Sequence, residues 1–210
     1  KVSHQNTKGV FMNFKSILIV SAIVMSSLAA QAQITLGQPA YGGTGCPGGS
    51  AAVALTDDGS ILSILFDQFT AESGNTTGRR IDRKACNLRI PVNVAQGFQV
   101  ALLAFDYRGF VAVPYGATAI FDATYSYVGG KDNRYSKTFR GGIADSYSLR
   151  NELIAPSLVW SPCGKQAMLA VNSSVRTISN NSMQQTMLSV DSLDITSGLL
   201  YQVQWRRCSL

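Results

Sequence analysis

The 210-residue chain carries 18 basic and 12 acidic residues, a formal charge of +6, and one histidine, His4. That length suits one ordinary domain with its own core, and so mild a positive charge does not indicate a nucleic-acid partner. His4 falls in a removable leader, which excludes Ser-His-Asp and Cys-His catalysis and His-ligated metal sites from the exported chain.

Residues 1–32 read as leader and signal peptide. Residues 1–11, ahead of Met12, carry no structural role. Lys15 precedes the apolar run Ile17–Met25, and Ala30-Gln31-Ala32 supplies an A-x-A cleavage site. The run is too short for a good membrane span, so no span is expected after cleavage. Removing the leader takes away Lys1, Lys8 and Lys15, leaving 15 basic against 12 acidic residues, or +3.

Residues 33–45 read as an irregular N-terminal arm. Gly42-Gly43-Thr44-Gly45 leads into Cys46-Pro47-Gly48-Gly49 without the Gly-Lys-Ser/Thr ending of a phosphate loop, so a turn pinned by Cys46 is expected. From 46 to 210 the pattern predicts a single β-domain. Ser50–Thr56 and Ser60–Thr70 read as strands joined at Asp57-Asp58-Gly59, a turn rather than a calcium loop. Ile61–Phe66 is apolar on both faces and is placed centrally. Ala71–Arg83 reads as a long polar connection holding the basic cluster Arg79, Arg80, Arg83 and Lys84. Cys86, Leu88, Ile90, Val92 and Val94 then share one strand face, and Pro91 marks that strand as an edge or a bulge.

Gly97–Phe105 is a further apolar strand, broken at Asp106-Tyr107-Arg108-Gly109 and resumed at Phe110–Val113. Ala117–Val128 alternates with Ala119, Phe121, Ala123, Tyr125 and Tyr127 on one side. Gly129–Asn133 is a hairpin loop, Arg134–Arg140 the returning strand, and Asp145–Leu153 a strand. Ala167–Ile178 points Leu169, Val171 and Val175 inward and Asn172, Ser174 and Arg176 outward. After a turn at Ser179–Ser182, Gln184–Thr196 and the segment around Leu199, Tyr201, Val203 and Trp205 complete the set. Short strands between Gly, Asn and Asp turns predict an all-β, antiparallel sandwich of jelly-roll or immunoglobulin-like type.

Cys46, Cys86, Cys163 and Cys208 form an even set in an exported chain, which reads as two structural disulfides; four cysteines allow three connectivities, and spacing does not choose among them. No C-x-x-C pair, cofactor motif or metal-ligand cluster is found, and no residue is assigned a catalytic role.

Six stretches taken together resemble the domain of unknown function family 4360, small secreted proteins of fungi and bacteria. They are Gly45-Cys46-Pro47-Gly48-Gly49-Ser50, Arg83-Lys84-Ala85-Cys86-Asn87-Leu88, Gly97-Phe98-Gln99, Asp106-Tyr107-Arg108-Gly109, Trp160-Ser161-Pro162-Cys163-Gly164 and Gln204-Trp205-Arg206-Arg207-Cys208. The resemblance implies a secreted, disulfide-bonded β-domain and supplies no activity. With the matching Trp-x-x-Cys ends, it also implies the pairing Cys46–Cys86 and Cys163–Cys208. Trp160 and Trp205 are then expected in the core beside the second bridge. Cys208 has the opposite parity to Trp205, so the last strand must end or twist before it.

The function expected is a secreted or envelope-associated (extracellular or periplasmic) non-catalytic binding or structural module. Its partner would be an anionic envelope polymer or glycan, met through Arg79, Arg80, Arg83 and Lys84. The alternative is a carboxylate-dependent glycan-active hydrolase drawing on Asp67, Glu72, Asp82, Asp106, Asp122, Asp145, Glu152, Asp191 or Asp194, none of which has a recognisable catalytic setting. The tyrosines are assigned to packing rather than to sugar stacking.

Overall fold

The computed structural model describes residues 34–57, 61–152, 158, 160–190 and 199–208. The predicted leader and its cleavage site lie outside them. Every regular element among them is a strand: β1 (Ile34–Leu36), β2 (Ala40–Gly42), β3 (Ala51–Leu55), β4 (Ile61–Phe66), β5 (Thr70–Ser73), β6 (Ile81–Val94), β7 (Phe98–Val113), β8 (Thr118–Tyr127), β9 (Asn133–Arg140), β10 (Ile143–Glu152), β11 (Ala167–Ile178), β12 (Thr186–Ser189) and β13 (Leu199–Arg207).

All pairings are antiparallel. The first sheet runs β1-β6-β11-β8-β9, with β2 also on β6; the second runs β3-β4-β13-β7-β12-β5, with β10 also on β7. The inner faces come from period-two patterning. Leu88, Ile90 and Val92 on β6, Leu169, Val171 and Val175 on β11, and Ala119, Phe121, Ala123, Tyr125 and Tyr127 on β8 are all buried. Leu62, Ile64 and Phe66 answer them from β4, which is flanked on both sides as its apolar sequence predicts. Tyr107 of β7 reaches across the layers to Phe121, with ring centroids 4.5 Å apart, and stacks on Tyr135 at 5.7 Å. Burial pushes the phenols of Tyr125, Tyr127 and Tyr135 up from their ordinary value.

Four local expectations are corrected. The arm is not irregular throughout, because β1 and β2 pair with β6 at Val92–Val94 and at Asn87–Arg89. Pro91 does not make β6 an edge. It falls in the gap between β1 and β2, where its carbonyl accepts from Gly37 N–H at 2.8 Å and its missing donor is not needed.

Asp106–Gly109 is no turn but the middle of an unbroken sixteen-residue strand. Asp106 is held by Arg150 directly opposite on β10, at 3.0 Å. Gly109 is glycine because the end of β12 lies against it: a Cβ there would lie 2.0 Å from the Ser189 carbonyl oxygen.

Ala71–Arg83 is likewise no long connection. Strand β5 ends at Ser73 and β6 begins at Ile81; a short turn between them is closed by the Gly74–Arg79 bridge.

Candidate functional site

One end of the sandwich is built by four connections: 74–80 after β5, 114–117 after β7, 141–142 after β9 and 179–185 after β11. The register brings them together, since Ile178 pairs with both Ile81 and Thr118, Thr118 with Arg140, and Ile143 with Val113. Side chains and backbone then lock the loops to one another. Asn180 donates to the Tyr115 carbonyl at 2.9 Å and to Gln184 Oε1 at 2.6 Å, and its own Oδ1 accepts from Gln184 N–H at 3.1 Å. Asn75 N–H donates to the Met183 carbonyl, and Arg80 donates to Asn181 Oδ1 at 2.7 Å.

On this frame stands Tyr115, 82% exposed, while Tyr107, Tyr125, Tyr127 and Tyr147 are buried. Its ring borders Gly142, where a Cβ would fall 2.7 Å from Tyr115 Cζ. Gly142 has φ 80°, the left-handed region that suits glycine. The ring therefore rests beside a turn that leaves it no room on that side. Next to it is a depression of about 320 Å³ lined by Tyr115, Gly116, Ala117, Thr118, Arg140 and Gly141. Arg140 is exposed and makes no ion pair or hydrogen bond to another described residue. An aromatic face, a hydroxyl and a guanidinium on a rigid rim can stack against an apolar ring face while donating to oxygens around it. Sequence reading missed this residue. The available signal was Pro114-Tyr115-Gly116, an aromatic inside a turn, with no strand face to bury it.

The basic cluster does not gather as expected. Arg79 is paired with Asp82 at 3.0 Å, and Arg80 is spent on Asn181. Arg83 and Lys84 lie in β6, where neighbouring residues point to opposite faces. Arg83 faces solvent opposite Arg176; half-buried Lys84 is opposite Val175.

The cysteines join as Cys46–Cys86, both fully buried, and Cys163–Cys208, with Cys163 exposed. The first bridge ties the glycine turn to β6. Gly45 N–H donates to the Ala85 carbonyl at 2.9 Å, and a Cβ on Gly45 would meet the Phe69 ring at 2.3 Å. The second bridge lies at the end of the sandwich away from Tyr115, where β13 stops at Arg207 and Cys208 N–H donates to the Gly97 carbonyl at 2.7 Å.

Trp160 is not a core residue. It pairs with Ala101 alongside β7 and is half-buried, with the Arg206 guanidinium 3.9 Å from its ring centroid. Trp205 pairs with Val100 in register, but its side chain lies outside what the structure describes.

Among the described residues, the acids do not form a facing pair at the depression. Asp82 holds Arg79 and accepts from Glu72 N–H, Glu72 accepts from Gln185, Asp106 holds Arg150, and Asp145 accepts from Ser146 N–H. The side chain of Glu152, like Asp191 and Asp194, lies outside the described residues. No cluster of three or more metal-ligating side chains occurs among the described residues.

These features define a disulfide-bonded antiparallel β-sandwich. The profile of the family described as "Domain of unknown function (DUF4360)" matches residues 32–208, and the chain belongs to that family. It is 34% identical over 170 residues to an "Uncharacterized secreted protein" of Arthroderma benhamiae, covering 80% of this chain and 69% of that one. The protein is secreted, and no helix among the described residues is long and apolar enough to cross a membrane.

Among solved structures, it is similar to TmCBM61 in complex with β-1,4-galactotriose at a TM-score of 0.31 and 8% identity, covering 81% of this chain and 89% of that one. It is also similar to a family 11 carbohydrate-binding module of Clostridium thermocellum in complex with a β-1,3-1,4-mixed-linked tetrasaccharide, at a TM-score of 0.20 and 10% identity, covering 91% and 93%. At these scores neither superposition carries an assignment for this chain.

Proposed function

We propose that the protein is a non-catalytic glycan-binding module that meets saccharide at the depression beside Tyr115. The observation that carries this reading is a tyrosine left 82% exposed on a hydrogen-bonded loop frame. A rigid, amphipathic ring offers contact area at low entropic cost. Thr118 and Arg140 supply the donors that a hydroxyl-rich ligand needs. The anionic polymer expected from the basic cluster is retained within this reading as an acidic glycan, now with Arg140 at the rim. A hydrolase would place two carboxylates across its cleft, and the six residues lining this depression include none, which supports binding over cleavage.

The test is a binding screen of the secreted protein against immobilised neutral and acidic wall and envelope polysaccharides. Tyr115→Ala is expected to weaken binding to the best polymer about tenfold, or 1.4 kcal/mol, with melting unchanged, because the ring contributes little to the core. Full binding by this variant would place the site elsewhere.

A further inference from the structure

The solvent-facing side of the first sheet can be followed row by row from the register. One row holds Ile81, Ile178, Thr118 and Arg140; the next holds Arg83, Arg176, Ile120 and Thr138. Further along come Asn87, Asn172, Thr124 and Arg134, with Arg89 beyond. Among the described residues this face therefore carries Arg83, Arg89, Arg134, Arg140 and Arg176 against Asp122. Asp122 is exposed and forms no ion pair with any of them.

Arg83 and Arg176 stand directly opposite each other on adjacent strands. Cβ atoms in such a pair are about 5 Å apart, and like charges there are destabilising. Neither guanidinium has a salt bridge or hydrogen bond to a described residue that would offset this. Both are exposed, so their forks are open to solvent. Arg140, on the rim of the Tyr115 depression, is two strands across and one row along from Arg176. Strand geometry puts their backbones about 12 Å apart.

We propose that Arg83 and Arg176 form an acid-reading subsite, and that the ligand is a polysaccharide bearing carboxylate or sulfate groups. It runs from the Tyr115 depression across the solvent-facing side of the first sheet. This inference rests on the glycan reading above and names its ligand class. A planar guanidinium matches a carboxylate or sulfate edge with two parallel hydrogen bonds. Two guanidinia side by side, adverse to each other alone, become favourable once an anion lies between them.

The experiment titrates the secreted protein with polygalacturonate and its fully methyl-esterified form, and with dextran sulfate and dextran. The charged member of at least one pair is expected to bind more tightly, with a preference that falls as salt rises. The double variant Arg83→Gln/Arg176→Gln is expected to lose about tenfold in affinity for that charged polymer. It should keep its affinity for the uncharged partner and melt no lower than wild type. Tyr115→Ala is expected to weaken both members of the pair. A double variant that binds the charged polymer as wild type does overturns the subsite, as does equal wild-type binding of charged and uncharged polymers. Either result with Tyr115-dependent binding intact leaves the glycan reading standing, whereas no binding to any of the four polymers overturns the subsite.

Discussion

Replacing Cys46 and Cys86 together by alanine is expected to lower the unfolding free energy by about 4 kcal/mol or more. The bridge closes a loop with a sequence separation of 40, for which the chain-entropy model gives about that figure. Both cysteines are also fully buried, so the substitution leaves an unfilled space in the core. The Cys163–Cys208 bridge has a comparable separation of 45, but Cys163 is exposed. Its removal should carry the entropic loss without a comparable packing loss. Urea denaturation of the two double variants and wild type, under non-reducing conditions, measures both. A Cys46→Ala/Cys86→Ala protein as stable as wild type, or less affected than its counterpart, would contradict the assignment of the buried bridge to the core.

Gly109→Ala is expected to cost about 3 kcal/mol or to yield no folded protein. A Cβ would be 2.0 Å from the Ser189 carbonyl oxygen and 2.7 Å from Tyr147 Oη, and those two atoms are themselves hydrogen-bonded at 2.7 Å. Backbone and a buried phenol bonded to it leave little to give, so the overlap must displace a strand. Gly48→Ala is the control: nothing lies within 4 Å of its added Cβ, and the change should stay within about 0.5 kcal/mol. Thermal melting of the two variants settles the comparison. A Gly109→Ala protein that melts with wild type would mean that β7 and the end of β12 do not approach as described.

Most of the sandwich could be read from alternation, because a half-buried strand writes its faces directly into the sequence. β8 is the plain case: Ala119, Phe121, Ala123, Tyr125 and Tyr127 were expected on one face and are all buried. The reading failed where residue type has two physical causes. Asp106-Tyr107-Arg108-Gly109 has the letters of a turn, yet Asp106 is polar because an arginine stands opposite, and Gly109 is small because another chain segment crosses it. Neither neighbour is close in sequence.

Trp160 misled for a similar reason. A large aromatic beside a cysteine suggests a core staple, but Arg206 covers the ring at the surface instead. The candidate site was less legible still. Tyr115 sits in a turn that only the fold exposes, and the opposition of Arg83 to Arg176 is fixed by the β6–β11 register. Parity placed Arg176 on the polar face of its strand; it could not say what stood across from it.

The most direct measurement is a backbone amide shift map of the isotope-labelled secreted protein, titrated with an oligosaccharide of the polymer that binds best. The account predicts that the perturbed amides cluster at 115–118, 140–142 and 179–184, with a second group around Arg83 and Arg176 when the oligosaccharide is acidic. Perturbations confined to the opposite end, around Gly97 and the Cys163–Cys208 bridge, would contradict it, as would a saturable titration that leaves the residues around Tyr115 unmoved.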